Sequence, residues 1–291
     1  MRVARFALIH ATAATLVATV GAPAMADPRG VFVVHCAYSH SSRDDPIVHR
    51  GDPGTSHLHD FFGSTTTNAM STVRRMRRSP TTCLLASDTS GYWFPAAYLG
   101  RLPLRSTFAK VYYFGVPRVS IEAVPRGLKI LAGEPTATSS SENPRVTWSC
   151  GAKGRKRTPI VDHPYDCSRF ARRWDFVDSV VARVDLPSCW DGGGHRPADM
   201  AYLEHRTCPP DFAHRLPGLR MQVHVGTLDP CRARLPCRAR GSASNVVLRL
   251  SSGPYYTFHA DFWNTWHQRA FERLTQRCLV AHRPCGVVSD P

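Results

Sequence analysis

Lysine and acidic residues are scarce in this sequence. Only four of its 37 basic residues are lysines, and 22 acidic residues leave a formal net charge of +15. Such a charge favours anionic partners, including nucleic acid, acidic wall polymers and phospholipid headgroups. Arginine richness with little lysine is also what a GC-rich coding bias gives, and the charge is scattered except in the runs 74–78 and 153–157. Net charge alone therefore predicts no partner.

Several catalytic signatures are absent. The sequence contains no Cys-x-x-Cys pair, no Gly-x-Ser-x-Gly elbow and no recognisable nuclease motif, which argues against a zinc ribbon, a serine hydrolase of the elbow type and a nuclease. Nucleic acid is accordingly not a predicted partner. No segment after the first 26 residues approaches 18 consecutive apolar residues, so no membrane span is predicted.

The first residues have the pattern of an export signal. Arg2 and Arg5 precede an apolar run from Phe6 to Val20, and Ala24-Met25-Ala26 follows as a small-residue cleavage box. This pattern predicts a removed signal peptide over residues 1–26 and a secreted, extracellular domain over residues 27–291. A copper histidine brace needs an N-terminal histidine, whereas cleavage here leaves Asp27.

Ten cysteines follow the cleavage box, and an even number in an exported chain predicts disulfide bonds. Two pairs are close enough in sequence to close small loops, namely Cys231 with Cys237 and Cys278 with Cys285. The other pairings do not follow from the sequence.

Short β-branched and aromatic segments, separated by Gly and Pro, predict antiparallel strands. The predicted strands are Val31–Val34, Lys110–Val116, Val119–Val124, Leu128–Leu131, Arg145–Trp148, Leu219–Val225 and Val246–Leu250. One amphipathic helix is predicted from His267 to Val280. The expected fold is mainly β, a single-domain β-sandwich that is jelly-roll-like, with long loops, one C-terminal helix and disulfide staples.

Two clusters of His, Asp and aromatic residues lie about two hundred residues apart. His57 and His59 share a face if the segment is extended, while Asp60 faces the other way. The second cluster runs from Phe258 to Trp266 and contains His259 and Asp261. We expect the fold to assemble both clusters into one site.

Two kinds of chemistry suit these residue types. Asp60 and Asp261 are the kind of carboxylates that act as acid and base in glycoside hydrolysis. Their substrate-binding partners would be Trp93, Tyr92, Trp190, Asp191 and Trp263. A structural alternative stays open, because aspartates also cap turns and aromatic residues also pack in cores or on disulfides.

Metal binding is the rival use of the same positions. His57, His59 and His259, completed by Asp261 or His224, suit zinc or copper by ligand type. A His-x-His pair also occurs on plain polar surfaces, so a site without any metal is an equal alternative.

The order of motifs resembles a known family, the secreted bacterial and fungal proteins that share domain of unknown function nineteen-ninety-six. The resemblance spans about Cys36 to Cys278. It rests on seven motifs: Asp45-Pro46-Ile47-Val48, Ser56–Gly63, Asp88–Tyr98, Trp148-Ser149-Cys150, Leu186–Gly192, Cys208-Pro209 with Arg215-Leu216-Pro217, and Phe258–Asn264. The chain departs from the family pattern in the loop between Cys231 and Cys237 and at His259, where Gly is more usual.

What the resemblance implies is an extracellular domain, in fungi often joined to carbohydrate-binding modules, without a settled activity. Together with the residues above, it favours a secreted protein that acts on extracellular or cell-wall polysaccharide, with a glycan hydrolase as the first hypothesis. The alternative is a non-catalytic module that binds glycan or metal.

Overall fold

The computed structural model describes residues 30–116, 119–152, 158–167, 176–226 and 248–290. The predicted signal peptide and the Cys231–Cys237 loop lie outside these residues. Within them, no helix combines the length and the apolarity that a membrane crossing requires.

The described chain is mainly β, as predicted. Its strands are β1 (Val31–Ser42), β2 (His59–Gly63), β3 (Gly91–Pro95), β4 (Ala97–Leu99), β5 (Leu102–Leu104), β6 (Phe108–Phe114), β7 (Lys129–Gly133), β8 (Val146–Ala152), β9 (Phe176–Leu186), β10 (Cys189–Trp190), β11 (Met200–Ala201), β12 (His214–Arg215), β13 (Gly218–Gly226), β14 (Leu248–Leu250), β15 (Gly253–Pro254), β16 (His259–Trp263) and β17 (Pro284–Val287). The described residues contain two α-helices, α1 (Val73–Met76) and α2 (Gln268–Leu274), and a π-helical segment, Thr275–Val280, continues α2. Four short 3-10 turns cover Ser140–Glu142, Pro197–Asp199, Pro210–Phe212 and Tyr255–Thr257.

One large sheet dominates the fold. Its strands follow the order β7-β16-β3-β2-β1-β6-β13-β9-β8, all antiparallel, and β17 pairs in parallel with β1. The two ends of this sheet approach each other. Asn143, just before β8, donates its side-chain amide to the carbonyls of Tyr256 and Phe258, just before β16. The ring of Trp148 lies 5.6 Å from that of Phe258, so the sheet is nearly closed around its core.

Alternation along the strands explains the core. In β6, Ala109, Val111 and Tyr113 are buried while their neighbours are partly exposed, as expected for a strand with one face on the core. The aromatic residues contribute most, since fully burying one such side chain is worth roughly 1.5–3 kcal/mol. Tyr113, for example, stacks on Phe32 at 4.6 Å.

A second, smaller apolar cluster lies on the outer face of β2, β3 and β16. It consists of Phe61, Met76, Trp93 and Trp263, with Ile47 and Val73 packed against it. Every residue of these three strands is buried, because the loop before β2 and the segment carrying α1 cover the outer face. This covered face positions the candidate site.

Four disulfides staple the described residues: Cys36–Cys83, Cys150–Cys167, Cys189–Cys208 and Cys278–Cys285. The last confirms the small loop expected near the C-terminus. The predicted helix from His267 to Val280 is confirmed in place. The predicted strand from Val119 to Val124 is wrong, because the described residues there form an irregular loop.

Candidate functional site

The two His and Asp clusters meet on the outer face of the sheet. β2 and β16 both pair with β3, and residues two apart in a strand share a face. Phe61 and Trp263 mark the outer face through the small apolar cluster. His59 in β2, and His259 and Asp261 in β16, therefore face the same side.

Three histidine rings converge there. Nε2 of His57 lies 3.1 Å from Nε2 of His259, and Nε2 of His59 lies 3.4 Å from the same atom. The rings of His57 and His59 are 4.2 Å apart, which confirms that the two share a face. One nitrogen from each of the three lies within 4.8 Å of the other two. We call these three residues the histidine cluster.

Backbone carbonyls fix the tautomers of the two buried rings. Nδ1 of His59 lies 3.0 Å from the carbonyl oxygen of Asp44, and Nδ1 of His259 lies 3.0 Å from that of Thr257. A carbonyl oxygen only accepts, so each Nδ1 carries the proton and donates it. In the neutral ring the proton is then absent from Nε2, and the Nε2 lone pairs of His59 and His259 face each other.

Burial keeps these rings neutral. It lowers the pKa of His259 to about 4 and the pKa of His59 well below its usual value, and neighbouring histidines lower the latter further. Burial also lowers the pKa of His57, while the nearby carboxylate of Asp45 opposes the shift. His57 is half-buried, so the cluster reaches solvent on that side.

Asp261 adds a buried carboxyl group to the cluster. Its Oδ2 lies 4.0 Å from Nε2 of His259 and has no hydrogen-bond partner among the described residues. Burial raises the pKa of Asp261 well above its usual value, and the Asp45 carboxylate raises it further. Without a cation nearby, burial therefore favours the protonated form of this group.

Gly133 makes room for His259 across the β7–β16 pair, where the two residues stand opposite each other. Its φ is +89°, and a Cβ there would collide with the Phe258 carbonyl and the backbone of His259. The sequence gives no signal for this role beyond the Gly itself. Thr257, whose carbonyl orients the His259 ring, carries no signal either.

The loop before β2 supplies two further residues that sequence reasoning did not assign. Asp44 orients the His59 ring through its carbonyl, and its carboxylate accepts from the Gly54 amide at 3.0 Å. Asp45 accepts from the amides of Ile47 and Val48, which fixes a turn beside the cluster. The Asp-Pro-Ile-Val motif was visible in the sequence, but nothing in it pointed to this contact.

Asp60 lies on the other side of the sheet. It shares a face with Phe62, a residue of the large core, rather than with His59 and Phe61. Its Oδ1 accepts from Ser41 Oγ at 2.6 Å, and the side chain and backbone of Ser106 also hydrogen-bond to the carboxylate. Burial raises the pKa of Asp60. The structure therefore does not bring Asp60 together with Asp261.

The predicted aromatic platforms of β3 and β16 are buried. Trp93 stands opposite Asp261 in register, fully buried against Phe61. Trp263 is nearly buried, and its indole N–H donates to the Gly127 carbonyl. Tyr92 is inside the large core, where its hydroxyl donates to Asp88 at 2.8 Å.

The remaining candidates lie outside the histidine cluster. Trp190 and Asp191 belong to, or directly follow, the small sheet β11-β10-β12. The Asp191 carboxylate accepts from the amides of Gly193 and Gly194, as a turn-capping aspartate does. His224, in β13, packs 3.9 Å from the Phe108 ring, and its Nδ1 has no partner among the described residues.

Comparisons with known proteins match the chain to a family whose description assigns no role. No curated protein and no solved structure matches the chain. The family model described as Domain of unknown function (DUF1996) matches residues 45–266, a range that includes every residue of the histidine cluster and Asp261. The chain therefore belongs to the family Domain of unknown function (DUF1996).

Proposed function

We propose that His57, His59 and His259 bind one transition-metal ion, zinc or copper, with Asp261 as the neighbouring carboxylate. One observation carries the proposal: two buried neutral rings, each with its Nδ1 proton given to a backbone carbonyl, point Nε2 lone pairs at each other across 3.4 Å. Two lone pairs at this distance repel unless a cation lies between them. His57 can donate to only one of the two nitrogens.

The spacing suits a metal. Zinc binds imidazole nitrogen at about 2.0–2.1 Å, so two such ligands on a tetrahedral ion lie about 3.3–3.4 Å apart. The separations of 3.1 and 3.4 Å fit this geometry. A backbone carbonyl that accepts from Nδ1 is also the usual support of a metal-binding histidine.

The charges suit a metal as well. Three neutral imidazoles contribute ligands without charge, and the Asp261 carboxylate, whose Oδ2 lies 4.0 Å from Nε2 of His259, gains a counter-ion when a divalent cation binds to that nitrogen. A metal ion in place of the Asp261 proton would give a positive partner to Oδ2 of Asp261, which has no hydrogen-bond partner among the described residues. Metal binding therefore supports both the rings and the carboxylate.

The ligand set leaves a coordination position open. Three protein ligands with a free fourth position on the solvent side, here the half-buried His57 side, are typical of catalytic rather than structural zinc. A metal in such a site lowers the pKa of bound water and supplies a nucleophile for hydrolysis. A carboxylate pair of Asp60 and Asp261 is not supported, since the two lie on opposite faces.

We extend the proposal to a substrate class, extracellular or cell-wall polysaccharide, on which a secreted protein of this kind would act. The four disulfides are compatible with an extracellular location. The alternative is a module that binds metal without turnover.

Reducing-sugar release from a panel of wall glycans tests the activity. We expect release by the metal-loaded protein, loss after chelation, recovery with zinc or copper, and loss in His259→Ala but not in His163→Ala, a control at an exposed histidine. Stoichiometric metal without release from any glycan would assign the non-catalytic module. Absence of bound metal would overturn both.

A further inference from the structure

Two adjoining cavities beside α1 are lined by arginines. The first has a volume of about 480 Å³ and the second of about 460 Å³. The first is lined by Val73, Arg74, Arg77, Arg78, Arg126 and His267. The second shares Arg74 and Arg78 and adds Arg75 together with Thr66, Thr72, Ser79 and Pro80. We call Arg74, Arg75, Arg77, Arg78 and Arg126 the arginine surface.

The arginine surface has no counter-ion within the described part of the chain. No acidic residue is among the described residues that line either cavity. The ion pairs of the described residues involve other arginines, Arg196 and Arg220. Among the described residues, Nε of Arg77 is in addition buried without a hydrogen-bond partner. This donor is therefore available to an acceptor that a ligand supplies.

The fold holds these cations in place. Asn264, at the end of β16, donates to the carbonyls of Val124 and Pro125 and accepts from the Gly127 amide, which anchors the loop that carries Arg126. Met76, the last residue of α1, is fully buried in the small apolar cluster. The like charges are therefore brought together before any ligand binds, at the cost of their mutual repulsion.

The lining chemistry selects the class of ligand. Guanidinium groups bind sulfate, phosphate and carboxylate oxygens in paired hydrogen bonds. Two cavities joined by shared arginines suit a chain with successive anionic groups. Grooves for single-stranded nucleic acid stack bases on aromatic side chains. The described residues that line the two cavities include no Phe, Tyr or Trp.

We propose that the arginine surface binds an acidic glycan through sulfate, phosphate or carboxylate groups. This site is separate from the histidine cluster and stands independently of metal binding. It also gives the run 74–78 a role that scattered surface charge does not provide.

Calorimetric titration of the full chain tests the proposal. The probes are a heparin oligosaccharide, a phosphorylated mannan fragment, a polygalacturonate oligosaccharide and a single-stranded oligonucleotide of equal charge. The test variant is Arg74→Ala/Arg78→Ala/Arg126→Ala. The control, Arg249→Ala/Arg273→Ala/Arg277→Ala, removes the same charge at exposed positions elsewhere.

We expect saturable binding of at least one acidic glycan. The glycan that binds identifies the anionic group that the arginine surface recognises. Its Kd should rise about tenfold or more in the test variant and less than about twofold in the control. The Arg→Lys version of the test variant, which keeps the charge, should lose less affinity. Removing three crowded cations should leave the melting temperature unchanged or raise it.

Three outcomes would overturn the proposal. No saturable binding of any glycan is one, and equal loss in the test and control variants, which would reduce the effect to net charge, is another. The third is tighter binding of the oligonucleotide than of every glycan, with loss in the test variant, which would assign nucleic acid instead.

Discussion

Oδ2 of Asp261 lies 4.0 Å from Nε2 of His259 and has no hydrogen-bond partner among the described residues, although both side chains are buried. Asp261→Asn keeps the shape of this side chain and removes its charge. We expect the Kd for zinc or copper to rise about 10- to 100-fold, the range typical when a carboxylate that supports a metal site is removed. Titration calorimetry with both variants measures it.

Asp60→Asn is the matched control. Asp60 is also buried, and burial raises its pKa as well, but it lies on the opposite face of the sheet. Its substitution should leave metal affinity unchanged. Equal losses of metal affinity in the two variants, or no loss in Asp261→Asn, would mean that Asp261 does not contribute to metal binding.

Gly133→Ala should damage the same site through sterics. A Cβ at this position meets the Phe258 carbonyl and His259, whereas one at Gly51, where φ is +84° against +89°, meets nothing within 4 Å. Both substitutions carry the left-handed backbone cost of about 1–2 kcal/mol, and Gly133→Ala adds about 1–3 kcal/mol of overpacking. Urea unfolding should show the larger loss, together with weaker metal binding, only in Gly133→Ala. Equal losses in the two variants would show that His259 does not depend on this gap.

Asp88 predicts a pH dependence of stability. Burial raises the pKa of Asp88 to about 7 in the folded chain, whereas the pKa of an Asp in an unfolded chain is about 3.9. Between these values the unfolded chain loses the proton and the folded chain keeps it, so wild-type stability falls as pH rises. At about 1.4 kcal/mol per pKa unit, the titration of this single group makes the free energy of unfolding at pH 7 about 4 kcal/mol lower than it is at acidic pH.

Asp88→Asn removes that titration. Measured by urea unfolding of metal-free protein at several pH values from about 4 to 7, the free energy of unfolding of the variant should gain on that of wild type as pH rises. Asp211→Asn, at an exposed position, should run parallel to wild type. Parallel profiles for Asp88→Asn as well would show that this carboxyl is ionised in the fold.

The contribution of each disulfide to the free energy of unfolding should depend on the length of the loop that it closes. Cys36–Cys83 has a sequence separation of 47 and Cys278–Cys285 one of 7. Loop-closure entropy predicts about 4 kcal/mol for the first and about 2.4 kcal/mol for the second. The free energy of unfolding of the two double Cys→Ala variants measures both contributions. A larger loss of stability on removing the disulfide of the short loop than on removing that of the long loop would contradict the entropic account.

The features that depend on local sequence pattern could be predicted from the sequence. The pairing of His57 with His59 on one face, the opposite orientation of Asp60 and the C-terminal helix all follow from periodicity, and the structure confirms them. The strand predicted for Val119–Val124 is absent, because two of its apolar residues, Ile121 and Val124, are buried by the packing of an irregular loop while Val119 is exposed. A buried apolar run in a loop has the same composition as one in a strand.

The site itself depends on strand order, which periodicity does not contain. β2 and β16 flank β3 although about two hundred residues separate them, and this arrangement decides that Asp261 joins His59 while Asp60 does not. The tautomers depend on the carbonyls of Asp44 and Thr257, and a backbone carbonyl is present at every residue. Contacts of that kind have no sequence signal.

Metal content tests the central claim most directly. Protein produced without an affinity tag and analysed for elements after exposure to zinc or copper should retain about one equivalent per chain, and a chelator should then lower its melting temperature, since a ligand that binds only the folded state stabilises it. His59→Ala and His259→Ala should lose the metal, and His163→Ala should keep it. Retention of less than a tenth of an equivalent by the wild type, with no change on chelation, would contradict the metal centre.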